Sequence, residues 1–186
     1  MKALIRTSYG SPDVLQFKEI EKPVPESNEL LIKIHATSLN ASDVEFLSGK
    51  PLYTRMWGLF KPKIRILGSD IAGRVESTGP EVKRFTSGEA VFGDIFDHWG
   101  GLAEFVCVPE DKLTQKPDGL TFEQAAAVPQ ASLVALQGLQ NKRQIQAGQK
   151  ILINGAGGGA GSFAIQIAKY LGAEVTGVDS AAKLEM

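Results

Sequence analysis

Up to about residue 120, short apolar runs alternate with glycine and proline. "KALIR" and "VLQFKEIE" read as short strands. In "ELLIKIHA", Leu30, Ile32, Ile34 and Ala36 alternate with Leu31, Lys33 and His35, the period of a half-buried strand. "DIAGRVEST" closes on the turn pair Gly79–Pro80, and "EAVFGD" and "AEFVCVPE" complete the set. So many short strands with frequent turn residues predict a compact, barrel-like β domain.

The pattern changes near Leu120. "TFEQAAAVPQASLVALQGLQ" is rich in Ala, Leu and Gln, which favour helix. Thr121 and Gln124 have the spacing of a capping box, and Pro129 divides the segment into two helical pieces. "KILIN" then reads as a buried strand, "GSFAIQIAKYLG" as a helix with Phe163, Ile165, Ile167, Ala168 and Leu171 as its apolar positions, and "AEVTGVD" as a second strand. Lys150 to Asp179 thus form one βαβ unit.

The length, 186 residues with 43% hydrophobic content, suits one or two globular domains. A net charge of −1 gives no electrostatic reason to expect nucleic acid or an anionic membrane as partner. The single cysteine, Cys107, excludes an internal disulfide framework and a Cys-rich zinc site. No apolar run is long enough to span a bilayer, and "MKALIRTSYG" lacks the apolar core of a signal peptide. A cytoplasmic location is the expectation.

Candidate chemistry concentrates between Gly155 and Gly161, where five of seven residues are glycine. A glycine string between a strand and a helix, with an acid further on, is the pattern of a dinucleotide cradle. The helix favours the register Ala156, Gly158, Gly161. Gly158 then lets the backbone approach a pyrophosphate, and Gly161 lets the helix pack closely on the strand. Gly157, Gly159 and Ala160 complete the cradle, whose N–H groups and helix dipole favour phosphate. Asp179, after the second strand, is placed to accept from ribose hydroxyls and to repel a 2′-phosphate, which favours NADH. It reads also as a helix N-cap. Ser180 and Lys183 pull toward NADPH, since either can contact a phosphate.

Four further segments, "ATSLNASDVEFLSGK", "LGSDIAGRVESTGPEVKRFTSGEAVFG", "GGLAEFVCVPEDKL" and "AAAVPQASLVALQGLQ", together with the glycine loop, resemble the medium-chain dehydrogenase/reductase superfamily. The resemblance implies a mixed α and β fold: a GroES-like β-barrel domain over residues 1–120, then the first part of a Rossmann domain over 121–186. It implies hydride transfer with NADH or NADPH, and a homodimer for the full-length protein. In the superfamily's zinc alcohol dehydrogenases, metal ligands stand where this chain has Asn40, Ser69 and Gln130. These neutral oxygen donors suit zinc poorly, so the resemblance is to the zinc-free quinone oxidoreductase branch. The implied substrate is a small molecule, a quinone or an α,β-unsaturated carbonyl; a relative of the zinc alcohol dehydrogenases is the alternative.

Within that reading Asn40 is placed to hold the nicotinamide amide or a substrate oxygen, Asp43 lies one helical turn on, and Tyr53 is a candidate donor to a developing oxyanion. Helix capping competes for Asn40, and packing for Tyr53. The end of the sequence soon after one βαβ unit leads us to expect a piece of a longer protein, inactive or non-catalytic by itself.

Overall fold

The computed structural model describes residues 1–140 and 144–183. They divide into two compact units, one ending at Pro129 and the other beginning at Gln130.

In the first unit, β1 (Lys2–Arg6) and β2 (Leu15–Glu19) form an antiparallel ribbon. A five-stranded antiparallel sheet holds β3 (Glu29–Ser38), β4 (Asp70–Thr78), β5 (Ala90–Asp94), β6 (Phe105–Pro109) and β7 (Thr114–Gln115), in the order β6-β3-β4-β5-β7. The alternation in β3 holds for Leu30 and Ile32, both in the core with Ile71, Val91 and Val108. Leu31 is buried as well, while Ile34 and Ala36 are only partly covered. Register shifts between Leu31/Ile32 and Ile34/Ala36 re-aim these side chains. β7, only two residues long, is too short to carry a periodic signal in the sequence.

α1 (Ala41–Ser48) begins at Asn40, which is in an extended conformation, and ends at Gly49, whose φ of 68° is the left-handed stop that glycine adopts readily. Its inner face buries Asp43, Phe46 and Leu47. Phe46 packs against Trp99, Phe96 and Trp57, with ring centroids at 4.8, 5.6 and 5.7 Å. The buried Arg6 guanidinium donates to the carbonyls of Phe46 and Ile64, tying β1 to the end of this helix.

α2 (Phe122–Ala126) starts at the reciprocal capping box: the Thr121 N–H donates to Gln124 at 2.9 Å, and the Gln124 N–H to Thr121 at 3.2 Å. Ala125 and Ala126 pack on Ala72 of the sheet. The first unit therefore runs past the change of composition at Leu120.

α3 (Pro129–Gln140) begins at the proline and lies in the second unit from Gln130 on, followed there by β8 (Lys150–Asn154), α4 (Gly159–Tyr170) and β9 (Glu174–Val178). β8 and β9 pair in parallel, as a βαβ crossover requires. The fully buried positions of α4 are Ala164 and Ala168, whereas Phe163, Ile165 and Ile167 are half-buried. Small side chains under the helix bring its backbone near the sheet, and the large ones splay to the margins. This corrects the apolar stripe expected from periodicity, in which Ala164 had no place. Among the described residues no helix is long and apolar enough to cross a membrane.

Candidate functional site

The glycine loop is built around two close approaches. β8 ends at Asn154, and the chain turns through Gly155 with φ 81°, a left-handed conformation. Gly158 is the N-cap of α4, in ordinary extended geometry. At Gly161 a side chain would begin 2.0 Å from the Gly155 carbonyl oxygen and 2.8 Å from the Ala156 Cα. No residue with a Cβ fits there unless helix and turn move apart.

Beside this turn lies a cleft of about 550 Å³. Of the residues the sequence singles out, Ala156, Gly157, Gly158, Gly159, Asp179 and Lys183 line it; Ala160, Gly161 and Ser180 do not. Ser162, Ile165 and Gly177 join the lining. The sequence reading missed Ser162 because it stopped at the last glycine, although a hydroxyl in the first helical turn is a signal for a phosphate-facing position. Gly177 left a fainter one, a glycine inside a strand where a side chain would meet Ala156 at 2.9 Å.

Asp179 follows β9 directly. Its Oδ2 accepts from the Gly157 N–H at 2.8 Å and its Oδ1 from the Ser180 N–H at 2.7 Å. The N–H groups of Ser180 and then Gly157 hold this half-buried carboxyl below its ordinary range. A carboxylate has roughly four lone-pair sites, so it retains acceptor capacity for a diol. The first-turn N–H groups of α4 have no carbonyl one turn earlier in the helix, which makes this end an anion site. The cleft therefore fits a dinucleotide: backbone donors for phosphate and a fixed carboxylate at the end of β9.

In the first unit, Asn40, Asp43, Ser69 and Asp70 come together. Asn40 and Asp43 form a reciprocal cap, in which the Asn40 N–H donates to Asp43 Oδ2 at 2.8 Å. Asp43 Oδ1 accepts from the Gly68 N–H at 2.9 Å. Burial pushes the Asp43 carboxyl up, against the pull of the N–H groups of Asn40 and Gly68. Both oxygens are thus engaged by the backbone, and Asp43 joins α1 to the segment before β4. Asn40 is half-buried, and its Nδ2 donates to Asp70 Oδ2 at 3.0 Å. Ser69 is fully buried, with its carbonyl accepting from Ile95 at 2.6 Å. A hydrogen-bonded amide and a buried hydroxyl do not fit zinc. Gln130 belongs to the second unit.

Tyr53 is half-exposed and donates to Glu45 of α1. That bond pushes its phenol up, so the phenol turns to a ligand only by leaving Glu45. Arg55 donates to the Gly49 carbonyl at 2.9 Å and lies over the Tyr9 ring. His35 is exposed and stacks on Phe122 at 4.4 Å, and His98 is exposed in a turn.

Residues 26–118 match the alcohol dehydrogenase GroES-like domain. Over 200 aligned residues, spanning all of this chain and 49% of the relative, the sequence is 36% identical to the 2-methylene-furan-3-one reductase of Solanum lycopersicum. The solved quinone oxidoreductase of Coxiella burnetii superposes with a TM-score of 0.89 at 36% identity, over 98% of this chain and 57% of that one. A mycobacterial protein complexed with NADPH superposes with a TM-score of 0.83 at 29% identity, over 100% of this chain and 55% of that one. The chain spans about half the length of the curated relatives it matches. With its GroES-like domain and the first part of a Rossmann fold, the chain belongs to the medium-chain dehydrogenase/reductase superfamily.

Proposed function

We propose that the whole protein is a zinc-independent, NAD(P)H-dependent reductase of quinones or α,β-unsaturated carbonyls. The observation that carries this reading is the glycine cleft, with Asp179 held between the N–H groups of Gly157 and Ser180. Relatives named as a quinone oxidoreductase and as a furanone reductase support the substrate class, and the relative complexed with NADPH supports the cofactor.

A bound nicotinamide dinucleotide supplies the hydride. The chain's own residues then bind and orient. The pyrophosphate lies along Ala156 to Gly159 and takes its hydrogen bonds from the first-turn N–H groups of α4, at Gly159, Ala160 and Gly161, beside Ser162, because the N–H groups of Ala156, Gly157 and Gly158 are already bonded within the loop. Asp179 takes the ribose hydroxyls, flanked by Ser180 and Lys183. Asn40 donates to a carbonyl oxygen of the bound cofactor or substrate, and Asp43 holds the loop that carries Asn40. Tyr53 stabilises a developing oxyanion once released from Glu45. Quinones and enones are already electrophilic, so hydrogen-bond donors suffice where an alcohol would need a metal to lower its pKa. In this reading the substrate is a small molecule, nucleic acid and membrane are not partners, and the whole protein is a cytoplasmic homodimer.

Titration of the whole protein with NADH and NADPH, followed by nicotinamide fluorescence, tests the reading. Binding of at least one cofactor is expected, with its oxidation by a quinone or enone in stopped flow. Failure to bind either overturns it.

A further inference from the structure

We propose that Asp70 is a positioning residue that fixes the orientation of the Asn40 amide and keeps an N–H of it available to an acceptor oxygen of the ligand. The inference rests on the reductase reading and deepens it.

A side-chain amide carries an oxygen acceptor at one end and two N–H donors at the other, and a half-turn exchanges them at little steric cost. At Asn40, two neighbours decide the orientation. Nδ2 lies 3.0 Å from Asp70 Oδ2, an oxygen that acts as an acceptor here, since it takes the Ser38 hydroxyl as well. On the helix side, the side chain faces the Asp43 N–H of the capping box, a donor that also bonds the Asn40 backbone carbonyl at 3.1 Å. Turning the amide over would set oxygen against carboxylate and NH2 against N–H. The observed orientation satisfies both neighbours and leaves one N–H beyond the Asp70 bond.

Asp70 is itself rigidly held. It is fully buried, opens β4, and pairs with Ser38 of β3 and Asp94 of β5. Its carbonyl accepts from the Thr37 hydroxyl at 2.7 Å, and its Oδ2 also accepts from the Ser38 hydroxyl at 3.2 Å. A half-buried amide at the start of a short helix is thereby fixed from the interior of the sheet, the kind of support a catalytic group needs to hold its geometry. Asp70 touches no ligand in this scheme and acts only through Asn40.

The test compares wild type, Asp70→Asn, Asn40→Asp and the exchange Asn40→Asp/Asp70→Asn in the whole protein. Asp70→Asn should lower kcat roughly 10- to 100-fold, the scale of one charge-assisted hydrogen bond, while the dissociation constant for NADH or NADPH changes less than about threefold. The exchange restores an amide–carboxylate bond with reversed polarity. It should recover Tm but not kcat, because position 40 then presents carboxylate oxygens. If Asp70→Asn does not fold, the exchange carries the test alone. Recovery of kcat together with Tm in the exchange, or wild-type kcat in Asp70→Asn, overturns the role. The Asn40 side-chain NH2 resonances, assigned by their loss in Asn40→Asp, read the orientation without turnover. They should be slow to exchange in wild type and faster in Asp70→Asn; equal exchange overturns the lock. A wild type that binds neither cofactor overturns the reductase reading and this inference with it, an outcome distinct from a variant that behaves like an active wild type.

Discussion

Gly161 and Gly158 are both glycines of one loop, yet alanine at the two positions should fail in different ways. At Gly161 a new Cβ would stand 2.0 Å from the Gly155 carbonyl oxygen, so α4 and the turn must separate by about 1.4 Å to restore an ordinary 3.4 Å contact. The obstructing atoms are backbone and cannot rotate away. The same carbonyl accepts the Gly158 N–H at 3.1 Å, and Ala164 and Ala168 pack under the helix that must move. The cost is that of forced overpacking, about 3 kcal/mol, or roughly 6–12 °C in Tm for a chain of this length. At Gly158 the nearest atom is 3.3 Å away and φ is −89°, which any residue adopts. The weaker capping by alanine and the smaller entropy of its unfolded chain oppose each other, within about 1 kcal/mol. A methyl there does occupy the path of a pyrophosphate, so the affinity for NADH or NADPH should fall at least tenfold. Circular-dichroism melts and fluorescence titrations of both variants separate the roles. A Gly161→Ala protein with the wild-type Tm, or a Gly158→Ala protein with undiminished affinity, would refute the register.

Three further substitutions or probes follow from the geometry. Asp43→Asn leaves one acceptor oxygen for two backbone donors, Asn40 and Gly68, and should cost about 1–3 kcal/mol by urea unfolding at neutral pH. Burial raises the folded pKa of Asp43, so its ionisation costs more in the folded state. Its contribution is full below the unfolded pKa and declines as pH rises through the folded one; Asp43→Asn should flatten that slope, and an unchanged slope would contradict the assignment. Asp179→Ser removes the charge at the end of β9 and should move the ratio of NADH to NADPH affinity toward NADPH by about tenfold; an unchanged ratio would place the ribose elsewhere. The Cys107 thiol is pushed up to about 11, first by burial and then by Glu29 and Glu26. At pH 7.5 its thiolate fraction, and with it the rate of reaction with a disulfide reagent, should be roughly 100-fold lower folded than in urea, and equal rates would contradict that environment.

The glycine loop was legible because its constraints are local. A strand, a turn, a helix and an acid within one βαβ unit leave their pattern in contiguous sequence, down to the steric demand at Gly161. The capping residues Thr121, Gln124 and Asn40 were legible for the same reason. The Asn40 amide was not, because its bonding partner Asp70 lies thirty residues away on the neighbouring region of the sheet. Alanines such as Ala164 carry too little hydrophobic signal to reveal that a helix packs closely upon them. The run from Leu52 to Phe60 has no period that separates packed from projecting residues, and the structure holds both kinds. Thr54 is buried and Trp57 packs on Phe46, while Leu52, Met56, Leu59 and Phe60 are exposed. Its composition is uniform, so only the tertiary contacts separate the anchors from the projecting residues.

The first unit buries Asp43 and Asp70 almost completely, although an apolar pair of similar volume would cost less desolvation. Asp43 gives its two oxygens to the backbone of Asn40 and Gly68, and Asp70 Oδ2 accepts from the side chains of Asn40 and Ser38. Both sets of bonds converge on Asn40, one on its backbone and one on its amide. A structure that only needed to close α1 against the sheet could do so with the Phe46 cluster and the Arg6 bonds already present. Two buried carboxyl groups that each bond the one half-buried asparagine, one at its backbone and one at its amide, are a local departure from the cheapest core, and such departures gather where a side chain must be held for chemistry. On the proposed reductase reading, that reasoning favours the Asn40 amide over the more conspicuous Tyr53 or the two histidines as the group this unit would hold for a reacting oxygen.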